Sequence, residues 1–276
     1  MFFRYLFVAA LTLHAGTASS QEIFLTAGTA RPPGPDSLPM EEIVVTAGFR
    51  DGELMSTGGS ISVLEPALIE ERGARHLEDT LAVAPNVNYS VGGSRARFIQ
   101  IRGVGDLEQF VDPKHYPAVG VVMDGIELSN VATSALLFDT ERVEVYRGPQ
   151  GTRFGASALA GLVNIVGRDP GDVLEGRVDA GYGNLDSWYL AAAGGGPLGE
   201  NLGVRVSVRQ NMRDGFIHND FLGRNDTQDV DELSARAKLV WDLSPNLRAY
   251  LTTLYIDADN GYDAFSLNNS RTTLTD

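Results

Sequence analysis

Residues 141–166, ERVEVYRGPQGTRFGASALAGLVNIV, form the stretch that decides the fold. It begins with β-type alternation, in which Val143 and Val145 are set against polar neighbours. The alternation breaks at Arg-Gly-Pro (147–149), and an apolar run resumes at residues 162–166. The pattern predicts a strand, a loop rich in small residues and a second strand, an arrangement that by itself suits several folds.

Composition excludes several classes of protein. The chain has 276 residues, of which 43% are hydrophobic, enough to build a core. Its 22 basic and 36 acidic residues give a net charge of −14, which argues against a general nucleic-acid binder because phosphate repels such a surface. The absence of cysteine excludes disulfides, thiolate zinc sites and cysteine nucleophiles.

The first 20 residues have the pattern of a signal peptide. Arg4 supplies a positive start, Tyr5 to Leu13 form a short apolar run, and small residues follow from Ala15. The run is too short to anchor the chain across a bilayer, and no other stretch is long and apolar enough for a membrane helix. We therefore predict an exported chain, with a buried amphipathic N-terminal helix as the alternative.

Residues 21–40 are rich in proline and glycine and predict a flexible linker. A short β-prone segment follows at residues 41–47, Glu-Glu-Ile-Val-Val-Thr-Ala. Such a segment can add itself as a strand to the exposed sheet edge of another protein. The alternative is an ordinary edge strand of the domain that follows.

Residues 56–170 predict a compact α+β domain. A strand at 61–64 precedes a helix that begins at Pro66 and ends at Gly73, and a second helix covers about 76–84 before Pro85. Asp124-Gly125 predicts a tight turn between apolar runs. Five short strands are expected at these positions: 98–102, 119–123, 126–128, 142–146 and 162–166.

Residues 174–276 change to alternation sustained over about ten residues per segment, which is typical of the strands of a membrane barrel. In Leu202 to Gln210 the valines alternate with Arg205, Ser207 and Arg209, and Leu233 to Trp241 shows the same division. One face suits lipid and the other a wet lumen. We predict about five strands of a partial β-barrel, with short periplasmic turns and a long external loop between Asn211 and Val230; a soluble β-sandwich is the alternative.

Four stretches, taken in order, resemble the TonB-dependent outer-membrane receptors. They are the helix pair with APNV, FIQIRGVG at 98–105, VGVVMDGIEL at 119–128 and the stretch 141–166. The resemblance implies an α+β plug domain followed by the N-terminal antiparallel strands of a transmembrane β-barrel. It also implies an active importer in the outer membrane of a Gram-negative envelope, which binds a scarce solute such as a siderophore and works through plug movement.

The resemblance also implies specific sites and partners. The segment with Glu42, Ile43, Val44, Val45, Thr46 and Ala47 is similar to the TonB box, which a TonB-type periplasmic energy-coupling protein grips by strand pairing. Arg102 and Arg147 match arginines that lock the plug to carboxylates of the barrel wall, and we expect those carboxylates beyond this sequence, which would leave both arginines unpaired. The substrate-facing apex of the plug would include Gly103, Asp106, Gln109, Lys114 and His115. Outer-membrane lipid and a small-molecule or metal-chelate substrate complete the expected partners.

No enzyme, cofactor or metal site is predicted. The glycines of 148–155 lack the Gly-Lys-Ser/Thr of a phosphate loop, and no Gly-x-Ser-x-Gly nucleophile motif occurs. The four histidines are scattered. Asp257, Asp259 and Asp263 depart from the spacing of a calcium-binding EF-hand, which favours a solvated loop.

Two functions remain open at the level of sequence. Plugged transporters of the outer membrane have about 22 strands, far more than the residues after Val173 can form, so we expect a truncated or partial receptor. The chain is then either part of an importer or a non-transporting plug that binds or signals. The motifs do not choose a substrate, because fold does not determine function.

Overall fold

We describe the protein from a computed structural model. The described residues are 3–15, 44–45, 52–53, 59–74, 76–91, 96–105, 117–129, 137–219 and 223–261. Among these, none of the helices has the length and apolar character needed to cross a membrane.

The first half of the chain forms the plug unit and the segments before it. In chain order its elements are β1 Phe3–Ala15, β2 Val44–Val45, β3 Gly52–Glu53, β4 Ile61–Leu64, α1 Pro66–Glu71, α2 Leu77–Leu81, β5 Val87–Val91, β6 Ala96–Ile101, β7 Val104–Gly105, β8 Val119–Met123, β9 Ile126–Glu127, β10 Thr140–Arg147, α3 Gly151–Phe154, a 3₁₀ turn Gly155–Ala158 and β11 Gly161–Gly167. The central sheet has the order β4-β10-β11-β8-β9, and β5, β6 and β7 form a separate sheet.

The second half forms long antiparallel strands. They are β12 Glu175–Tyr182, β13 Trp188–Pro197, β14 Leu202–Arg213, β15 Ile217–Asn219, β16 Arg224–Thr227, β17 Val230–Ser244 and β18 Leu247–Ala258. Six strands make one sheet in the order β1-β18-β17-β14-β13-β12, which we call the wall sheet. The predicted order, an α+β unit followed by antiparallel strands, is confirmed.

The stretch 141–166 lies at the centre of the plug. β10 pairs with β11 on one side and with β4 on the other, and β11 pairs in parallel with β8. Val143, Val145 and Val163 are completely buried, because a sheet covered on both faces needs apolar side chains. The loop between the strands, predicted as irregular, contains α3 and the 3₁₀ turn. Periodicity does not detect helices of a single turn.

The two helices cover the plug sheet. Pro66 occupies the first turn of α1, where its missing N–H costs nothing, and Gly73 ends the segment with φ +60°. His76 is the N-cap residue of α2, and its backbone N–H donates to Asp79 Oδ2 at 3.1 Å. Ile69, Leu77 and Leu81 are buried in the same core as Val143. The helices therefore fix one flank of the plug.

The wall sheet alternates as predicted. Arg205, Ser207 and Arg209 of β14 are buried, whereas Val206 and Val208 on the opposite face are exposed. The buried face contacts the plug, and Leu254 and Ile256 of β18 join the plug core itself. The loop predicted between Asn211 and Val230 includes a small hairpin of β15 and β16, which the weak alternation of this segment did not indicate.

The N-terminal segment differs from the helical alternative. β1 pairs antiparallel with β18 from Phe3–Ala258 to Ala15–Leu247. Pairing satisfies the backbone N–H and C=O groups that an edge strand otherwise leaves open. The signal peptide at residues 1–20 stays a prediction.

Candidate functional site

The strongest candidate for a functional site is the line of charged contacts between the plug and the wall sheet. We call it the seam and define it by three plug acids and three wall bases: Asp124, Asp139, Asp169, Arg205, Arg236 and Lys238. Five of these side chains are at least nine-tenths buried in ion pairs: Asp124, Asp139, Arg205, Arg236 and Lys238. The seam therefore sets how the plug is seated.

Topology brings the acids together. β8 and β11 are parallel, so they end on the same side of the plug sheet, and β10 is antiparallel to β11 and begins there. Asp124 follows β8, Asp139 precedes β10, and Asp169 lies two residues after β11. Three acids that are far apart in sequence thus meet at one end of the sheet.

Local backbone conformation orients the side chains of two of these acids. Asp124 has φ +48° and is followed by Gly125 with φ +84°, as a tight hairpin turn requires. Asp139 has φ +57° at the start of β10. Aspartate tolerates this left-handed region better than most residues that carry a Cβ. Turn geometry therefore presents both carboxylates outside the plug sheet.

Alternation along the wall strands supplies the bases. Arg205 Nε and Nη2 donate to the two carboxylate oxygens of Asp139, each at 2.7 Å. Arg205 Nη1 donates to Glu175 Oε1 at 2.6 Å, at the start of β12. The guanidinium fork matches a carboxylate in two bonds, which fixes orientation as well as distance. This contact is the best-defined part of the seam.

Lys238 and Arg236 bind the neighbouring acid and backbone. Lys238 Nζ donates to Asp124 Oδ1 at 2.9 Å, to Asp169 Oδ1 at 2.8 Å and to the carbonyl of Gly167 at 2.8 Å. All three of its donors are therefore used. Arg236 Nη2 donates to the carbonyl of Asp139 at 2.5 Å, and its Nε lies 3.8 Å from Asp124 Oδ2.

Gly167 permits the close approach of plug and wall. A Cβ at this position would lie 2.5 Å from Arg236 Cζ and 2.7 Å from Asp124 Oδ2. Its N–H donates to Asp124 Oδ1 at 2.8 Å. A larger residue would displace the ends of these side chains, so glycine allows the seam its present arrangement.

A second contact joins the plug to β17 near the other end of that strand. His76 Nε2 lies 3.2 Å from Glu232 Oε2, and both side chains are buried. Asn260 Nδ2 donates to Glu232 Oε1 at 2.6 Å. The seam and this pair therefore contact the plug at two different positions along β17.

The plug also contains one buried carboxylate that belongs to neither contact. Glu144 is completely buried and accepts hydrogen bonds from Tyr146 at 2.5 Å, Asn164 at 2.9 Å and Arg142 at 2.7 Å. Burial raises the pKa of Glu144, but the three donors outweigh it and hold the pKa below its ordinary value. Glu144 therefore stays ionised inside the plug.

The predicted lock arginines lie together on the plug. Arg147 donates from Nε to Ser60 Oγ at 3.0 Å, and from Nη1 to Ser62 Oγ at 2.8 Å and the carbonyl of Pro85 at 3.3 Å. Its three hydrogen bonds named here are to neutral oxygens, and its role as a lock to a barrel carboxylate stays a prediction. Burial lowers its pKa, and the charge of nearby Arg102 lowers it further. Neither arginine forms an ion pair with a carboxylate in the part of the chain that the structure describes.

The other predicted residues are described in part. Val44 and Val45 form β2, which pairs with β3 and not with the five-stranded plug sheet. Glu42, Ile43, Thr46 and Ala47 lie outside the described residues, as do Asp106, Gln109, Lys114 and His115 of the predicted apex. Gly103 is exposed with φ +75°. No group of three metal-binding side chains occurs among the described residues.

The seam was missed at the level of sequence, although part of its signal was there. Alternation placed Arg205 and Lys238 on the lumen side, but no role was assigned to them. Asp124 was interpreted as a turn residue only, and Asp139 was not singled out. A buried cation needs a partner, so the inward arginines and lysine already implied acids on the plug.

Comparison with known proteins agrees with this architecture. Residues 53–162 match the model of the TonB-dependent receptor plug domain. The pesticin receptor of Yersinia pestis is 29% identical over 187 residues, which cover 67% of this chain and 27% of that receptor. The vitamin B12 transporter BtuB of Vibrio cholerae is 27% identical over 241 residues, which cover 82% of this chain and 38% of the transporter. The chain thus spans between about a quarter and two-fifths of the length of these relatives.

Solved structures show the same fold. The ferric yersiniabactin uptake receptor FyuA from Yersinia pestis superposes with a TM-score of 0.60 at 27% identity, covering 67% of this chain and 29% of that one. The ferripyoverdine receptor of the outer membrane of Pseudomonas aeruginosa gives a TM-score of 0.62 at 20% identity, covering 78% and 27% of the two chains. The plug and the wall strands of this chain are thus similar in sequence and fold to those of TonB-dependent receptors.

Proposed function

We propose that the chain is the plug-bearing part of an outer-membrane importer. It takes up a scarce solute, siderophore-like or another large nutrient, and a TonB-type periplasmic protein supplies the energy by pulling on residues 41–47. The known relatives support this proposal, since they include the pesticin receptor and a vitamin B12 transporter. The chain itself has no catalytic role in this proposal.

The observation that carries the proposal is the charged chemistry of the seam. The plug has its own apolar core, in which Val143, Val145 and Val163 are completely buried. Besides the apolar contacts of Leu254 and Ile256, it meets the wall through the charged side chains of Arg205, Arg236 and Lys238. A plug built in this way holds together as a body and can move against the wall.

A charged seam suits movement for a physical reason. Burying an ion pair gains little net free energy, because desolvation offsets most of the attraction. When the plug shifts, water can solvate the separated charges, whereas a separated apolar face would remain exposed at a cost of about 25 cal/mol per Å². The seam therefore favours one position of the plug against the wall, while the free-energy cost of moving the plug out of that position stays moderate.

The coupling segment is suited to strand exchange. Val44 and Val45 pair with Glu53 and Gly52, a contact of only two residues on each side. A partner strand that covers more of residues 41–47 would form more main-chain hydrogen bonds than this short pair. In the proposed mechanism, the partner replaces β3 and then pulls on β2.

Proline substitution tests the coupling segment. Val44→Pro removes a main-chain donor from the strand, so we expect it to abolish capture of the chain by the energising protein. Leu38→Pro is the matched control, because it places the same residue in a linker that already contains prolines. Binding is measured with immobilised TonB-type protein. A 41–47 peptide that carries Val44→Pro and still binds as well as the native peptide would refute the assignment.

Uptake tests the importer itself. Cells that lack their own receptors are given the importer that carries this chain as its plug-bearing part, and accumulation of labelled ferric siderophores and of cobalamin is followed. We expect accumulation that Val44→Pro abolishes and Leu38→Pro leaves intact. Solute that binds at the surface but never enters would instead indicate a non-transporting receptor.

A further inference from the structure

Phe138 directly precedes the seam acid Asp139 in the plug, and its ring lies against the wall sheet. The residue is buried, with 8% of its surface exposed. It forms an apolar cluster with Ala191 and Ala193 of β13, and this cluster is separate from the plug core that contains Val143. Phe138 is therefore a plug residue whose apolar cluster is completed by the wall.

The register of the wall sheet shapes the place that the ring occupies. Ala193 pairs with Arg177 of β12 and with Ser207 of β14. In the neighbouring row, Ala191 pairs with Arg209 of β14. Residues directly opposite each other on antiparallel strands share one face of the sheet. Because alanine side chains are short, Ala191 and Ala193 leave a depression between the two longer arginines, which we call the alanine socket.

The two arginines border the ring in the alanine socket. The Cζ atoms of Arg177 and Arg209 each lie 6.0 Å from the centroid of the Phe138 ring, near the outer limit of a cation–π attraction. Arg209 lies closer to the ring of Tyr189, at 4.7 Å, and Arg177 forms an ion pair with Glu70 of α1. Other contacts thus hold both arginines, and the attraction between Phe138 and the socket is mainly apolar.

An apolar contact contributes what the ion pairs of the seam do not. Desolvation offsets most of the attraction within a buried ion pair. Removing an aromatic ring from water is favourable by itself, because the ring needs no counter-charge. The chain also couples the two contacts, since Asp139 follows Phe138 directly and binds Arg205 in two hydrogen bonds. The ring therefore adds net attraction at a point where the ion pair fixes orientation.

We propose that Phe138 is an anchor that holds this side of the plug against β12, β13 and β14, and that its ring leaves the alanine socket when the plug moves. The inference rests on the proposed function only in that the movement belongs to import. The contact itself can be measured without transport and without the energising partner. Loss of an anchor should release the plug from these strands without unfolding the plug.

Thiol labelling measures this release, because the chain contains no cysteine. Ser207 is buried in the same row as Ala193 and borders a small cavity together with Phe138. Ser207→Cys therefore places one thiol that a water-soluble maleimide reaches only when the plug leaves these strands. The full chain is labelled in detergent micelles. Ser244→Cys, at an exposed residue of β17, gives the unhindered rate.

Removing the ring should accelerate labelling. Phe138→Ala in the Ser207→Cys chain is expected to raise the labelling rate about tenfold or more, because it deletes a buried aromatic side chain. Phe138→Leu keeps an apolar side chain and should raise the rate less. Phe216→Ala is the matched control, since it removes an exposed ring and should leave the rate unchanged.

Filling the alanine socket from the wall side tests the same contact. Ala191→Leu occupies the space of the ring, so we expect it to raise the labelling rate as Phe138→Ala does. Ala192→Leu makes the same change at the next residue, which points to the opposite face of β13. The rate in that variant should stay native.

Hydrogen exchange of β10 and β11 distinguishes an anchor from a core residue. We expect both strands to keep their native protection in every variant. Lost protection in Phe138→Ala would place Phe138 in the plug core and overturn the proposal. An unchanged labelling rate in Phe138→Ala or in Ala191→Leu would also overturn it. If uptake fails while the labelling results hold, the import proposal falls and the anchor stands; uptake with unchanged labelling gives the reverse.

Discussion

The plug core and the seam bury their side chains to a similar extent but with opposite chemistry. Val143 and Val163 in the core are 0% exposed, while Arg205 and Asp139 in the seam are 5% and 3% exposed at their side chains. Apolar contacts are non-directional and add up with area. Ion pairs depend on geometry and on the presence of both partners. The comparison teaches that the apolar core stabilises the plug itself, whereas the seam positions the plug against the wall sheet.

Substituting a core leucine should give the largest effect. Leu162 is completely buried beside Val122, Tyr146 and Ala158. Leu162→Ala is expected to reduce the free energy of plug unfolding by about 2–5 kcal/mol, because it leaves a cavity. Hydrogen exchange of β10 and β11 in the full chain measures this loss. Leu159→Ala removes the same atoms from an exposed side chain, and a comparable loss there would contradict the assignment of the core.

The seam should be the next most sensitive region. Asp139→Asn keeps the shape of the side chain and tolerates the positive φ of 57°, but it leaves Arg205 without its main counter-charge. We expect seating of the plug to weaken by about 3 kcal/mol, near the low end for a broken buried pair because Glu175 remains.

The readout for Asp139→Asn is the urea concentration at which the plug leaves the wall, followed by exchange at residues 137–140. The centre of β10 should keep its protection, in contrast to Leu162→Ala. Asp172→Asn is the control, since Asp172 is exposed after β11. An equal shift in that control would show that the seam does not seat the plug.

A double-mutant cycle sharpens the comparison further. Arg205→Met combined with Asp139→Asn removes both charges of one pair, so the two losses should not add. We expect a coupling free energy of about 2 kcal/mol. The same aspartate change combined with Arg248→Met should be additive within about 0.5 kcal/mol, because Arg248 pairs with Asp242 and not with a seam residue. Additivity in both combinations would mean that Arg205 and Asp139 act independently.

The smallest expected effect concerns pH. The folded pKa of Glu144 lies below its ordinary value of 4.5. Its contribution to stability is therefore fully present above about pH 4.5 and is lost as the pH falls through the folded pKa. Glu144→Gln should flatten this acid loss of plug stability. Urea unfolding at a series of pH values from about 3 to 7, a range that spans both ionisation states of a carboxyl group, measures how the free energy of unfolding depends on pH. Glu65 is exposed, so Glu65→Gln should leave this pH dependence unchanged.

Much of the plug followed from local pattern. Alternation at Val143 and Val145, the Asp124-Gly125 turn and the helix signals at Pro66 and Gly73 predicted their elements within a few residues. These signals are local because neighbouring residues set backbone conformation. β5, the single-turn helix α3 and the β15–β16 hairpin were not predicted, because short segments carry too few residues for a period to show.

The site was predicted less completely. Arg102 and Arg147 were selected through resemblance, and their role as a lock stays a prediction. The seam acids were not selected, because Asp124, Asp139 and Asp169 are ordinary turn and linker residues in sequence. Only packing of the wall against the plug gives these residues a role.

By itself, the sequence determined that the chain has an α+β plug followed by wall strands with one charged face, since periodicity and turn residues act locally. The tertiary structure decided which charges meet. Parallel pairing of β8 with β11, and antiparallel pairing of β10, carried three separate acids to one end of a sheet. The wall strands then placed Arg205, Arg236 and Lys238 against them. Pairing over such distances in the chain depends on the register of whole sheets, which no local pattern specifies.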